Sequence, residues 1–286
     1  MADNPSTQAL QQPLTPRAHT RSKAPRKAEA PVDKVMACRY EMKYVVTESQ
    51  AAAMAPFIVQ YIPVDRYCKL QRGGVYPIVS LYLDNADWRL CRESITGVKN
   101  RFKLRIRSYT DEPDYPRFFE IKRRINTVIM KSRARVMDRD IEALLRGLPL
   151  PPQDYKTDEK ALSQFQLYMK NINAGPGVLI RYWRQAWEGE GDNRVRVTFD
   201  RDLCYCITRE PVVRLGGAGW QRNNMTKGHV ILEIKFTGKY PAWLSHMAKC
   251  FNLRLRSMSK YATSVRQASN EKWCGPTIPD WEDDDG

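Results

Sequence analysis

Hydrophobic and polar residues alternate along much of the chain, and this period of two is typical of β-strands that bury one face. The alternation predicts strands at 38–46, 77–83, 101–109, 117–124, 127–136, 178–187, 194–200, 203–207 and 229–236. Helical spacing predicts helices from a Thr47 cap to about residue 61, near 138–147 and 155–173, and over 241–251 and 259–269. Many strands without a strand–helix–strand rhythm favour an α+β fold with an antiparallel sheet.

Five of the predicted strands carry a charged face that is mostly positive. In 101–109, Lys103, Arg105 and Arg107 share one face, and apolar residues take the other. One interpretation is that these charges are simply solvated on half-exposed strands. However, concentrated like charge repels itself and needs a counterion. We therefore predict a closed antiparallel β-barrel with flanking helices, whose basic lumen binds an anion.

Two carboxylates interrupt the basic faces. Glu120 and Glu233 each stand two residues before a lysine, and therefore share a face with it. Either carboxylate is explained by an ion pair with a neighbouring cation. The other explanation is a hard metal, since Mg²⁺ or Mn²⁺ bound through phosphate needs only one or two carboxylates.

The charge distribution places the basic character inside the predicted domain. The chain of 286 residues has a formal net charge of +15, and only 7 of its 47 basic residues lie in 1–35 and 271–286. We predict a disordered basic arm over 1–35, a folded domain over 36–270 and an acidic tail over 271–286. The excess positive charge indicates a polyanionic partner: nucleic acid, an anionic membrane or a phosphate-rich small molecule.

Cysteine usage and hydropathy indicate a cytoplasmic protein. The seven cysteines are an odd number without a CxxC pair, which favours reduced thiols. No stretch approaches the ~18–20 apolar residues of a membrane span, and the N-terminus lacks the apolar core of a secretory signal. Nucleic acid is not expected, because Phe102, Phe119 and Phe199 lie opposite the basic faces and cannot serve there as stacking platforms.

Seven segments, in order, resemble the motifs of the VTC (vacuolar transporter chaperone) polyphosphate polymerase domain, of the triphosphate tunnel metalloenzyme superfamily. They are RYEMKY (Arg39, Lys43), KLRIRSY (Arg105, Arg107), FFEIKRR (Glu120, Lys122), RYWRQAW (Tyr182, Arg184), VRVTFD (Arg196), ILEIKF (Glu233) and SMSKYATS (Ser259, Lys260). Each motif alone is weak, but seven in order are specific. Ser257 stands where the family has a basic residue, and Arg254 or Arg256 is the candidate replacement.

The resemblance implies a tunnel that binds a triphosphate lengthwise and passes the γ-phosphate of ATP to a polyphosphate chain. It implies catalytic roles for Arg105, Arg107, Lys122, Arg184, Arg196 and Lys260. Further phosphate contacts would come from Arg39, Lys43, Tyr182 and Ser259. Glu233, with Glu120, would hold Mn²⁺ or Mg²⁺. Two alternatives stay open: a triphosphatase that hydrolyses inorganic or nucleoside triphosphate, and a polyphosphate-binding protein without catalysis.

Overall fold

A computed structural model describes residues 39–126, 128–149, 156–189 and 194–274 of the chain. The predicted arm and most of the predicted acidic tail lie outside these residues. Within them the strands are β1 Arg39–Thr47, β2 Tyr76–Asp84, β3 Arg101–Ser108, β4 Arg117–Ile125, β5 Val128–Val136, β6 Gly175–Glu188, β7 Val195–Ile207, β8 Gln221–Arg222 and β9 His229–Thr237. The α-helices are α1 Glu48–Ile58, α2 Arg66–Lys69, α3 Arg89–Ile95, α4 Ile141–Leu145, α5 Lys156–Asn171, α6 Ala242–Cys250 and α7 Lys260–Asn270.

The alternation predicted most strands closely, and the Thr47 cap is confirmed. The Thr47 side chain accepts a hydrogen bond from the Gln50 amide, and the Gln50 side chain accepts one from the Thr47 amide. The two strands predicted at 194–200 and 203–207 form the single strand β7. The short elements α2, α3 and β8 carry no clear period and were not predicted.

The strands form one antiparallel sheet in the order β1-β9-β7-β6-β2-β3-β4-β5, with β8 beside β7. The prediction of a closed barrel is wrong, because β1 and β5 end the sheet and do not pair. The free edge of β1 is used instead by a later segment: the Arg256 amide donates to the Lys43 carbonyl at 2.9 Å. The Lys43 ammonium donates in turn to the Met258 carbonyl at 3.2 Å.

The apolar face of the sheet is buried under helices, which leaves the charged face on the other side. Phe165 of α5 packs against Phe119 of β4, with ring centroids 4.9 Å apart. Met54 of α1 and Leu244 of α6 are buried in the cluster that covers β1, β7 and β9. The burial of these apolar residues fixes which face each strand turns outward, because a shift by one residue would invert it.

Helix α7 packs on the charged side of the sheet. Tyr261 stacks on Tyr82 of β2, with ring centroids 4.6 Å apart, and its hydroxyl donates to the buried Asp84 at 2.5 Å. This anchoring places the first turn of α7, including Lys260, over the basic strands. Among the described helices, none has the length and apolar character needed to cross a bilayer.

Candidate active site

A cavity of about 880 Å³ lies on the charged side of the sheet. Its positive lining residues are Lys43, Arg101, Lys103, Arg105, Arg107, Lys122, Arg124, Lys131, Arg184, Lys235, Arg256, Lys260 and Arg266. Two carboxylates, Glu41 and Glu233, line it as well. Thirteen cations against two carboxylates make a strongly positive cavity, and a cleft with one sign of charge concentrates ions of the opposite sign.

The structure brings nine of the twelve candidate residues to this cavity. They are Lys43, Arg105, Arg107, Lys122, Tyr182, Arg184, Glu233, Ser259 and Lys260. Ser259 caps α7 through the Ala262 amide and accepts a hydrogen bond from Lys103 at 2.8 Å. The N-terminus of α7 therefore opens beside a cation, an arrangement that favours bound anions.

Three candidates are placed differently. Glu120 borders the cavity without lining it, as described below. Arg196 does not line it either, because its guanidinium is bound by Glu188 at 2.7 Å and Asp65 at 3.2 Å. Arg39 begins β1, opposite Thr237, but its side chain lies outside the described part of the chain.

Glu120 is held by a cluster of arginines. Its carboxylate lies 2.6 Å from Arg105, 3.4 Å from Arg133 and 3.9 Å from Arg107. Burial alone would raise the pKa of Glu120, but the attraction of Arg105 and Arg107 outweighs burial and lowers it to about 2. Glu120 is therefore an ionised partner that orients arginines, and its oxygens are largely occupied.

Arg184 and Lys260 share one buried carboxylate. Asp200 of β7 accepts from Arg184 Nε and Nη2, both at 2.7 Å, and from Lys260 Nζ at 2.7 Å. Burial would raise the pKa of Asp200, but these two cations lower it. Two cations from β6 and α7 are thus fixed to the same wall of the cavity.

Burial and neighbouring positive charges lower the pKa of several side chains that line the cavity. Burial, together with repulsion from Lys122 and Lys43, lowers the pKa of Lys103 to about 8. Burial would raise the pKa of Tyr82, but Arg105 and Arg107 lower it to about 8. Burial also lowers the pKa of Lys122 and lowers that of Lys235 still further. A bound polyanion would stabilise the protonated form of each of these groups.

We expect triphosphate binding to be coupled to proton uptake at about pH 8.5. With pKa values of about 8, the Lys103 amine is partly neutral and Tyr82 is partly ionised at that pH. A phosphate raises both pKa values, so protons enter and the affinity falls as the pH rises above 8. Calorimetry in buffers of different ionisation enthalpy measures the uptake. The variant Lys103→Arg keeps a charged side chain at this pH and should therefore take up fewer protons on binding. Because both proteins are compared at the same pH, protons taken up by the triphosphate itself contribute equally to the two measurements. Equal uptake by both proteins would contradict this assignment.

Two carboxylates on neighbouring strands fit a divalent cation that arrives with phosphate. In the β1–β9 pairing Lys43 lies opposite Glu233 and Glu41 lies opposite Lys235, so the two carboxylates are diagonal neighbours. Thr198 lies opposite Glu233 on β7, and its buried hydroxyl has no hydrogen-bond partner among the described residues. The described residues contain no group of three or more His, Cys, Asp or Glu suited to a metal. This donor set is therefore too small for a metal alone, and suits a hard cation that shares phosphate oxygens.

Several lining residues were not among the candidates, although the period of two could have indicated most of them. Glu41 lies two residues before Lys43 and therefore shares its face. It is bound by Lys43 at 2.8 Å and by Lys122 at 3.8 Å. Arg256, one of the two proposed replacements for the missing basic residue, lines the cavity, whereas Arg254 does not. Asp200 shares the strand phase of Arg196 and Thr198, but alternation does not show that it binds Arg184 and Lys260, because those contacts depend on β6 and α7.

One protein family matches nearly the whole described part of the chain. The family model described as VTC domain matches residues 38–269. A search of curated proteins found no match.

Solved structures show a weaker likeness. A putative adenylate cyclase from Bacillus halodurans is 11% identical, with a TM-score of 0.43 over 77% of this chain and 92% of that one. The PH1819 protein from Pyrococcus horikoshii is 9% identical, with a TM-score of 0.42 over 81% and 99%. A putative adenylyl cyclase from Hippeastrum, described as having a dominant triphosphatase activity, is 11% identical, with a TM-score of 0.42 over 80% and 95%. At these scores the likeness supports no inference about this chain.

Proposed function

Because this chain belongs to the VTC domain family, within the triphosphate tunnel metalloenzyme superfamily, we propose that it transfers the γ-phosphate of ATP to a polyphosphate chain in the basic cavity. The observation that carries the proposal is the convergence of thirteen cations from the sheet, the 251–259 segment and α7 on one cavity with two carboxylates. A linear polyanion is the ligand whose charge matches such a lining.

The chemistry asks the protein mainly for positioning and charge neutralisation. In phosphoryl transfer, negative charge is spread over the oxygens of the transferring group. Arg105, Arg107 and Arg184 can fork onto phosphate oxygens, while Lys122 and Lys260 act as point charges. Glu233 and Glu41 would hold Mg²⁺ or Mn²⁺, which neutralises phosphate charge when bound.

The carboxylates favour transfer to a phosphate over transfer to water. An acceptor phosphate is already anionic and needs no general base, whereas water must be oriented and deprotonated. Glu41 is bound by Lys43, Glu120 by Arg105, and Glu233 contacts Lys235. Attraction by cations outweighs burial and lowers the pKa of both Glu41 and Glu120. Held in this way, these carboxylates are poor general bases.

Product analysis tests the proposal. The purified protein is incubated with ATP and Mn²⁺, and the products are separated on a gel that resolves polyphosphate. We expect a ladder of long chains and a matching release of ADP. Orthophosphate without polymer would replace the proposal with triphosphate hydrolysis. Triphosphate binding without any turnover would leave a binding protein.

A further inference from the structure

Asp200 is a buried carboxylate directly behind two cations that line the cavity, Arg184 and Lys260, and its charge should weaken the binding of an anionic substrate. We propose that Asp200 is a positioning residue for phosphoryl transfer: it fixes Arg184 and Lys260 so that their remaining N–H donors face the phosphate chain. The inference rests on the proposed function and deepens it.

Both carboxylate oxygens of Asp200 are bound by the two cations. Its side chain is fully buried, and its two oxygens accept the Nε and Nη2 hydrogens of Arg184 in a fork, both at 2.7 Å. Lys260 donates to the same carboxylate at 2.7 Å. A fork with two parallel hydrogen bonds fixes the plane of a guanidinium as well as its distance. Asp200 therefore sets the orientation of Arg184 and ties the first residue of α7 to β7.

Counting donors shows what is left for a ligand. A guanidinium has five N–H donors and an ammonium has three. Asp200 accepts two of the N–H donors of Arg184 and one of those of Lys260. Three donors therefore remain on Arg184 and two on Lys260, and both side chains line the cavity. The ring of Tyr182 lies near both cations, with its centroid 5.4 Å from the Arg184 guanidinium carbon and 4.9 Å from Lys260 Nζ. The ring limits how far either cation can swing.

The charge of Asp200 has opposite effects on the orientation of the two cations and on their affinity for phosphate. Without Asp200, both cations would be free to meet a phosphate and would gain more from it, because no second carboxylate in the described part of the chain forms an ion pair with either of them. With Asp200, each cation offers less attraction but a fixed direction. Transition-state stabilisation depends on donors that are already in place when charge moves. Asp200 should therefore increase the rate of phosphoryl transfer while it weakens the binding of phosphate.

Asp200→Asn tests the proposal, because it keeps the size of the side chain and removes the charge. We expect metal-free binding of inorganic triphosphate to tighten about fivefold or more, as phosphate replaces the lost counterion. Turnover of ATP should fall at least about tenfold, as the donors lose their direction. The Arg184 Nε–H signal in proton–nitrogen spectra, assigned with Arg184→Lys, should lose its protection from solvent exchange.

Asp202→Asn is the matched control. Asp202 lies two residues further along β7, is exposed and pairs with Arg222 at 2.6 Å away from the cavity lining. This variant should change neither the binding, the turnover nor the Arg184 signal. Asp200→Glu, which keeps the charge but moves it by one methylene, should keep triphosphate binding near that of the wild type and still lower turnover.

The outcomes are distinct. Weaker or unchanged binding by Asp200→Asn, or tighter binding with full turnover, would overturn the proposal. If Asp200→Asn does not fold, wild-type turnover in Asp200→Glu would overturn it instead. If the wild type binds triphosphate but turns over nothing, the proposed function fails. The binding and exchange measurements on Asp200→Asn then still decide whether Asp200 holds the cations.

Discussion

Glu233→Gln is expected to lower metal-dependent turnover by at least about a hundredfold, since the charge stabilisation supplied by a bound metal is worth several kcal/mol. The same variant should bind triphosphate without metal as tightly as the wild type, or more tightly. Glu233 contacts Lys235 and repels phosphate, so its removal frees a cation and removes a like charge.

The control for Glu233→Gln is a titration of triphosphate in EDTA and in Mn²⁺. The neutral amide keeps the shape of the side chain, so a general loss of folding is not expected. Metal-free binding that weakens by a factor similar to that of a lost arginine would show that Glu233 only orients cations, and its metal assignment would then be wrong.

Arg107→Ala is expected to weaken triphosphate binding by about 1.5–3 kcal/mol, both with and without metal. This corresponds to roughly 10- to 150-fold in Kd. Arg107 is the better choice than Arg105 because fewer of its donors are used. Its Nε lies 3.3 Å from Ser80 Oγ and 3.9 Å from Glu120, whereas Arg105 is held by Glu120 at 2.6 Å and Tyr82 at 3.1 Å.

Arg146→Ala provides the control for Arg107→Ala. It removes the same charge from an exposed side chain just after α4, where Arg146 pairs with the exposed Glu142. A surface pair of this kind contributes little. If both variants weaken binding equally, the net charge of the protein and not the cavity governs the affinity.

The strand faces were predictable because they depend on local alternation. Lys103, Arg105 and Arg107 face the cavity, while Leu104 and Ile106 are buried on the other face. When the apolar residues of a strand are buried on one face, its charged residues must lie on the opposite face. The period of two therefore suffices to predict which side chains face the cavity. The antiparallel sheet with attached helices followed from the same signal.

Closure of the sheet was not predictable from that signal. Alternation shows which face of a strand is polar, but it does not show which neighbour an edge will take. The β1 edge is occupied by the Arg256 amide, more than 200 residues away in sequence. The 251–259 segment has no strand pattern, so its place beside β1 depends on tertiary packing.

The positions and orientations of individual basic side chains also depend on carboxylates that are distant in the sequence. Arg196 has the strand phase of a lumen residue, but Glu188 and Asp65 hold it elsewhere. Arg184 was predicted from its motif, yet its orientation depends on Asp200, which its own motif does not contain. Ion pairs between separate elements are therefore the part of the site that sequence patterns do not supply.

The central claim is that the cavity is a polyphosphate site, and calorimetric titration of inorganic triphosphate into the unaltered protein in EDTA tests it most directly. We predict one site per chain, at least about tenfold tighter than orthophosphate, because a longer anion meets more of the convergent cations. The affinity should fall with added salt, since paired charges are screened. Binding of triphosphate no tighter than that of orthophosphate, or an affinity that does not depend on salt, would contradict the account.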